Sequence, residues 1–127
     1  MGKVLGVGGV FFKCADSKAT GEWYSRVLGM NAEDYGGFHF HHSESSAAKG
    51  AGAMTIFSGF PADTTYFEPS ATPVMINLMV DDLDAVLAIA AAAGVAPVQP
   101  GEDSEYGRFA WLMDPDGRKI ELWQPPD

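Results

Sequence analysis

The chain has 127 residues, 46% of them hydrophobic and 20% charged, which is typical of one compact globular domain and not of a disordered segment. Eight Lys and Arg residues against 17 Asp and Glu give a formal net charge of −9, which opposes binding to nucleic acid and to anionic membranes. The one cysteine, Cys14, excludes an internal disulfide. The sequence shows neither the apolar run of a signal peptide nor that of a membrane span, so we expect a soluble, cytoplasmic protein.

The first part of the chain has the pattern of a strand followed by a capped helix. Residues 4–13 are rich in Val, Phe and Gly and predict a strand. Asp16 is a favourable N-cap residue, and its helix is expected to end near Leu28, just before Gly29. The residues that recur at helical spacing on one side are Thr20, Trp23, Tyr24, Val27 and Leu28. We expect this side of the helix to face the core.

The middle of the chain predicts short strands separated by irregular segments. Apolar and aromatic residues favour strands near residues 32–35, 38–42 and 53–57. The small and polar residues 43–52 predict a mobile loop. Residues 61–73, which are bounded by prolines, are expected to connect two halves of the chain.

The second half repeats this order of elements. Residues 74–80 predict a strand, and Asp82 is a second N-cap, for a helix that is expected to reach Ala93 before Gly94. The buried side of that helix is expected to consist of Leu83, Val86, Leu87 and Ala90. A loop rich in Gly, Asp, Glu and Ser follows Pro97.

The chain closes with the pattern of a hairpin. Apolar residues 109–113 predict one strand, the sequence Asp-Pro-Asp-Gly that follows predicts a tight turn, and residues 119–123 predict the second strand. Alternate side chains of a strand lie on opposite faces, so Glu121 and Trp123 share one face. A carboxylate in an apolar strand is costly to bury without a partner. Glu121 is therefore either a solvent-facing residue or a site residue.

Two units with the order βαβββ, residues about 1–60 and about 74–125, thus form an internal duplication within a single domain, residues 1–127. Three stretches, GGVFFKCADSKATGEWYSRVLGM, INLMVDDLDAVLAIAAAAGV and YGRFAWLMDPDGRKIELW, resemble the vicinal oxygen chelate superfamily of glyoxalases, bleomycin-resistance proteins and extradiol dioxygenases. The resemblance implies an α+β fold in which tandem βαβββ modules form a curved mixed sheet around a pocket, often in a homodimer.

The resemblance also implies where a metal would bind, and this sequence departs from that pattern. The four ligand positions of the superfamily correspond to Gly9, Met75, either Thr55 or Phe57, and Glu121, and neither Thr55 nor Phe57 is a usual ligand. Glycine has no side-chain ligand, and a thioether is a poor ligand for a hard divalent ion. Only Glu121 has a suitable side chain, and one carboxylate does not make a metal site. We therefore expect no metal cofactor, and a divalent metal is disfavoured.

The same positions predict a pocket with an apolar, aromatic lining and a few polar groups, as is common for small-molecule sites. The predicted ligand-binding residues are Phe11, Phe57, Met75, Asn77, Arg108, Glu121 and Trp123. Glu121 would accept a hydrogen bond or pair with a cation. Arg108 would either clamp an anionic ligand or pair with a surface carboxylate. The alternative is that these residues pack a core without a pocket, with Asn77 and Glu121 hydrogen-bonded locally.

Two functions follow from this lining. The first is a metal-free protein that binds a small apolar or aromatic molecule. The second is a glyoxalase-like lyase or isomerase in which Glu121 is a metal ligand or the catalytic general base. His39, His41 and His42 lie away from the ligand positions of the superfamily, and solvent-facing histidines on a half-exposed hairpin are the better interpretation. Cys14 is interpreted as a packing residue.

Overall fold

A computed structural model describes residues 2–127, and within them the chain forms one four-stranded sheet and three α-helices. The elements in order are α1 (Ser17–Leu28), α2 (His42–Lys49) with a short 3-10 turn (Gly50–Gly52), β1 (Ile76–Met79), α3 (Leu83–Ala92), β2 (Glu102–Ser104), β3 (Gly107–Met113) and β4 (Lys119–Gln124). The strand order is β1-β4-β3-β2, with β1 parallel to β4 and the other pairs antiparallel. The expected α+β class is confirmed.

Both long helices begin at the aspartates that the sequence indicates. The Asp16 carboxylate accepts a hydrogen bond from the amide of Ala19 at 3.1 Å, and Asp82 accepts one from Ala85 at 3.0 Å. Each bond satisfies an amide that the first helical turn leaves unpaired. Gly29 ends α1 with φ +69°, a conformation that glycine adopts without steric cost. No helix within residues 2–127 is long and apolar enough to cross a membrane.

The core lies between one face of the sheet and the helices α1 and α3. Alternation along β3 and β4 directs Ala110, Leu112, Ile120 and Leu122 to this face, and each is at most 2% exposed. Their helix partners include Trp23, Tyr24, Val27, Leu28, Leu83 and Ala90. Burial of this apolar area is the main stabilising term of the fold. The odd-numbered residues of β3 and β4 from Phe109 onwards therefore lie on the face away from the helices.

The second half forms the complete βαβββ unit, β1-α3-β2-β3-β4, whereas the first half does not. Among the described residues, the strands expected at residues 4–13, 32–35, 38–42 and 53–57 are not formed. A strand needs a neighbour for its backbone hydrogen bonds, and no segment of the same chain supplies one here. Many apolar side chains of these segments are exposed, for example Val4, Leu5, Phe11, Met54, Ile56 and Phe57.

Two further elements differ from the expectation. The predicted loop at residues 43–52 is mostly helix α2, although that helix buries none of its residues. The loop after Pro97 contains the short strand β2, whose three residues are exposed. Strand β2 is polar and forms because it pairs antiparallel with the apolar strand β3.

The turn between β3 and β4 connects the sheet to α1. The buried Asp114 carboxylate accepts hydrogen bonds from the Tyr24 hydroxyl at 2.7 Å and from Arg118 Nη1 at 2.6 Å. Asp116 accepts hydrogen bonds from the amide of Ala15 at 3.0 Å and the hydroxyl of Thr20 at 2.6 Å. The pKa of Tyr24 is raised, mainly by burial and secondly by the hydrogen bond to Asp114. The predicted turn is thus also the junction between the two halves.

Candidate functional site

Glu121 lies on the sheet face away from the helices, and the strand register surrounds it with polar and aromatic side chains. It is paired with Asn77 on the parallel strand β1 and with Trp111 on the antiparallel strand β3. Trp123, two residues further along β4, is paired with Phe109. The register therefore brings these five side chains to one face.

Three donors satisfy the Glu121 carboxylate. Its Oε1 accepts a hydrogen bond from Asn77 Nδ2 at 2.7 Å, and its Oε2 accepts one from Trp111 Nε1 at 2.8 Å. Oε2 also accepts a hydrogen bond from the Tyr66 hydroxyl. Glu121 is only 7% exposed, and a buried carboxylate needs such donors to replace the water that it loses. Glu121 is thus neither solvent-facing nor unpartnered.

Tyr66 reaches Glu121 from an irregular segment that crosses this face of the sheet. Its ring stacks on Phe60, with ring centres 5.6 Å apart, and meets the Trp111 ring edge-on at 6.3 Å. Lys119 Nζ donates to the Tyr66 carbonyl oxygen at 2.8 Å and lies 5.3 Å from the centre of the Tyr66 ring. One phenol, one ammonium and one carboxylate are therefore grouped on an aromatic surface.

Burial shifts the pKa of each of the two titratable groups beside Glu121. The pKa of Tyr66 is raised, mainly by burial and secondly by the hydrogen bond to Glu121. Its hydroxyl therefore stays protonated and donates at neutral pH. Burial also lowers the pKa of Lys119, and this effect is partly opposed by the negative charge of Glu121. Tyr66 is therefore a neutral hydrogen-bond donor to Glu121.

An aromatic row extends from Trp111 along the same face. The Phe109 ring is within 13° of parallel to Trp111 and within 15° of parallel to Trp123, with ring centres 6.3 and 6.5 Å away. The Trp123 indole N–H donates to the carbonyl oxygen of Tyr106 at 2.8 Å, which fixes the end of the row. Trp111 and Trp123 are buried, whereas Phe109 between them is partly exposed, so Phe109 is the ring of this row on which a planar molecule could stack.

The structure brings together some of the predicted site residues and separates others. Asn77, Glu121 and Trp123 share one face, and Met75 immediately precedes β1. Phe11 and Phe57 are 94% and 92% exposed, so neither lines an enclosed pocket within one copy of the chain. Their strands, which were expected to carry them to the site, are not formed.

Arg108 lies on the opposite face of the sheet, where it pairs with surface carboxylates. Its guanidinium donates two hydrogen bonds to Asp84 at 3.1 Å and one to Asp103 at 3.2 Å. The alternation of β3 places Arg108 with Ala110 and Leu112, on the side of α3. Of the two interpretations of Arg108, the structure matches surface pairing.

The hollow that was expected behind Glu121 is occupied by the protein itself. One cavity of about 410 Å³ lies along α1, with Ser17, Gly21 and Ser25 among its lining residues. Another, of about 260 Å³, lies between α3 and β3 and is lined by residues that include Leu87 and Arg108. Glu121 lines neither cavity. The Tyr66 side chain fills the space above the carboxylate, which sequence reasoning did not foresee.

The donor set does not fit the metal that the resemblance implies. Gly9 offers no ligand, and Met75 offers only a thioether sulfur. The two oxygens of Glu121 already accept hydrogen bonds from Asn77, Trp111 and Tyr66. Within residues 2–127, no three His, Cys, Asp or Glu side chains group in a way that could hold a metal ion.

The histidines and the cysteine lie outside this cluster. His39 is hydrogen-bonded to the Tyr35 hydroxyl at 2.7 Å and lies 3.4 Å from Glu33. His41 is the N-cap residue of α2 and His42 is its first residue, so the three histidines do not lie on a strand. Cys14 lies 3.7 Å from the Arg118 guanidinium, at the junction between the halves.

Two important site residues were missed from the sequence, for different reasons. Trp111 could have been found, because a hairpin that turns at residues 114–117 pairs position 111 with position 121. Tyr66 could not, because its contact joins residues 55 positions apart through a segment without periodicity. Its aromatic neighbours Phe60 and Phe67 were the only signal in that segment.

Residues 9–123 match the family described as Glyoxalase-like domain, and the chain therefore belongs to this family. A comparison with curated proteins found no match.

Several solved structures are similar to this chain. The antibiotic-binding protein TnmS3 from Streptomyces sp. CB03234 is 41% identical, with a TM-score of 0.37, over 40% of this chain and 41% of that chain. This chain thus spans about two fifths of that relative. TioX from Micromonospora sp. ML1 is 22% identical, with a TM-score of 0.51, over 90% of this chain and 91% of its own. A protein of unknown function from Agrobacterium tumefaciens str. C58 is 20% identical, with a TM-score of 0.55, over 94% of this chain and 98% of that chain. The last two show the shared fold.

Proposed function

We propose that this chain is a metal-free, small-molecule-binding protein of the glyoxalase-like family, and that an apolar or aromatic molecule binds on the sheet face around Glu121. The observation that carries the proposal is the carboxylate itself, which is buried among aromatic rings and held by three donors. A strand that served only to pack the core would place an apolar side chain at this position.

The chemistry of the face supports binding. Phe109, the partly exposed ring between the buried Trp111 and Trp123, supplies flat apolar surface, and Glu121 and Asn77 supply oriented polar groups. Sites for small molecules commonly combine a large apolar area with a few fixed polar groups. A general base needs a lone pair directed at its substrate, and three of the about four acceptor sites of the Glu121 carboxylate are used by donors of the protein. The arrangement therefore favours binding over proton abstraction.

Thermal unfolding with a panel of planar aromatic compounds tests this function. We expect some of them to raise the melting temperature, because a ligand at about 100 times its Kd stabilises a protein by about 2.7 kcal/mol. A chelator and added divalent ions are expected to change nothing. Glu121→Gln should weaken ligand binding, and Glu105→Gln, at an exposed position, is the matched control. Stoichiometric metal in the purified protein, or a panel without a single binding compound, would refute the proposal.

We further propose that the protein is a homodimer in which a second copy covers the exposed first half. Phe11 and Phe57 are more than 90% exposed, and Val4 and Leu5 are at least 90% exposed. Within residues 2–127, strand β1 pairs with β4 alone, so its other edge has unpaired backbone groups. A second copy of the chain can cover these apolar segments and pair with the free edge of β1.

Sedimentation equilibrium tests the dimer. We expect wild type to sediment as a dimer, and Phe11→Asp to raise the dimer dissociation constant at least tenfold, because a buried, unpaired charge is costly. Tyr106→Asp is a control at an exposed aromatic residue of the second half, and it should not change assembly. A wild-type monomer at high concentration would contradict the proposal.

The division into modules and the location are also proposals. Residues about 1–60 and about 74–125 are two modules of a single domain, supported by the equivalent helix caps at Asp16 and Asp82. A cytoplasmic location is supported by the single cysteine. Two separate unfolding transitions would contradict the single domain, and recovery of the protein in the periplasmic or secreted fraction would contradict the location.

A further inference from the structure

The three donors to Glu121 differ in how firmly the fold holds them. Trp111 and Asn77 lie on β3 and β1, where the backbone ladders on both sides of β4 fix their positions. Tyr66 lies within residues 53–75, a stretch with no helix or strand. Tyr66 is therefore the donor of the three whose backbone no strand ladder holds.

The backbone around Tyr66 is attached independently of its side chain. Lys119 Nζ binds the Tyr66 carbonyl oxygen at 2.8 Å, and the Ser70 hydroxyl donates to the carbonyl oxygen of Gly117 at 2.6 Å. The Tyr66 residue is 38% exposed, so one side of it is open to solvent. The phenol can thus rotate outward while the segment remains attached to the sheet.

Departure of the phenol would leave a site whose chemistry is complementary to a phenol. Oε2 of Glu121 would keep the Trp111 donor but lose the second donor, and the Trp111 ring and the Lys119 side chain would lose their contact with the Tyr66 ring. The protein's own tyrosine shows what fits there: a planar ring with a hydroxyl directed at the carboxylate.

We propose that the ligand is a hydroxylated aromatic molecule that displaces the Tyr66 side chain and donates its own hydroxyl to Glu121. This inference rests on the proposed function and names its ligand class. Tyr66 would then be an internal competitor, and the missing cavity at Glu121 would be a space that the protein fills until a ligand arrives. An aromatic molecule without a hydroxyl would leave the carboxylate short of a donor, which a buried acceptor does not tolerate well.

Calorimetric titration with naphthol and with naphthalene tests this inference. Wild type is expected to bind naphthol about tenfold more tightly than naphthalene, because only naphthol replaces the lost donor. Tyr66→Phe should bind naphthol about fivefold more tightly than wild type, because no hydroxyl has to leave the carboxylate first. Tyr106→Phe removes a hydroxyl from an exposed tyrosine and should bind as wild type does.

An NMR measurement on wild type makes the test independent of whether a variant folds. The indole N–H of Trp111 shares Oε2 of Glu121 with Tyr66, so its resonance should shift when naphthol replaces the tyrosine. Equal affinity for the two probes, or naphthol binding by Tyr66→Phe that is no tighter than by wild type, overturns the phenol inference while the binding function stands. Binding of neither probe overturns the inference, and failure of the whole aromatic panel overturns the proposed function too.

Discussion

The two halves of this chain share their local signals but not their tertiary structure. Asp16 and Asp82 cap their helices with the same backbone angles, φ −142° and ψ 100°. Around α3 the expected strands pair into a sheet, whereas around α1 the expected strands remain unformed within residues 2–127. Capping is satisfied within four residues, but a strand depends on a neighbour. The comparison therefore separates what a segment determines alone from what it needs a partner to complete.

The junction between the halves should be the most sensitive place to test this comparison. Arg118→Ala would leave the Asp114 carboxylate buried without its ion-pair partner, and loss of one member of such a pair costs about 3–5 kcal/mol. Urea denaturation measures this loss. Arg26→Ala, at an exposed position on α1, is the control and should change stability by less than about 0.5 kcal/mol. A loss below about 1 kcal/mol for Arg118→Ala would mean that the halves are not joined there.

Replacing one glycine in each half by alanine tests how tightly the two halves are packed. Gly107 has φ +120°, and an added Cβ would lie 2.2 Å from the carbonyl oxygen of Gln124. Gly107→Ala should therefore destabilise the protein by about 2–3 kcal/mol, from strain and overpacking together. Gly8 has no atom within 4 Å of its added Cβ, so Gly8→Ala should leave the unfolding midpoint of the isolated chain almost unchanged. Equal losses would show that both halves are equally packed.

The two helix caps should respond alike, because they are local features. Asp16→Ala and Asp82→Ala should each cost about 1 kcal/mol, the usual contribution of an N-cap side chain. Each removes one hydrogen bond, to Ala19 or to Ala85. Chemical denaturation of both variants beside wild type is the measurement. A difference well above 1 kcal/mol between them would contradict the equivalence of the two capping sites.

The smallest expected effect is a pH dependence at the junction. The pKa of Asp116 is lowered, mainly by the hydrogen bond from Thr20 and secondly by the one from the amide of Ala15. Its stabilising contribution is thus fully present above the unfolded pKa of about 3.9 and is lost as the pH falls towards the lowered folded value. Thr20→Val should reduce the acid sensitivity of the melting temperature in that range. An unchanged acid profile would show that the Thr20 hydroxyl does not stabilise the Asp116 carboxylate.

Sequence reasoning succeeded where the determining interactions are short-range. The helices at Ser17–Leu28 and Leu83–Ala92 follow from their caps and apolar stripes, and the final hairpin follows from its Asp-Pro-Asp-Gly turn. Of the predicted site, Asn77, Glu121 and Trp123 share one face because strand alternation fixes their direction.

The failures have physical reasons as well. Helix α2 buries no residue, so it has no apolar periodicity to detect. Strand β2 is polar and depends on its partner β3. The side chain of Tyr66 reaches the site through a segment whose path depends on hydrogen bonds made by Lys119 and Ser70 to distant backbone atoms. No local pattern encodes such a path.

The position of Lys119 has a consequence for covalent labelling. The residue is 2% exposed beneath the Tyr66 segment, whereas Lys3, Lys13 and Lys18 are exposed. An acylating reagent should therefore modify Lys119 last, long after those surface lysines. Its rate of acylation, followed by mass spectrometry, records how often the chain above it lifts away.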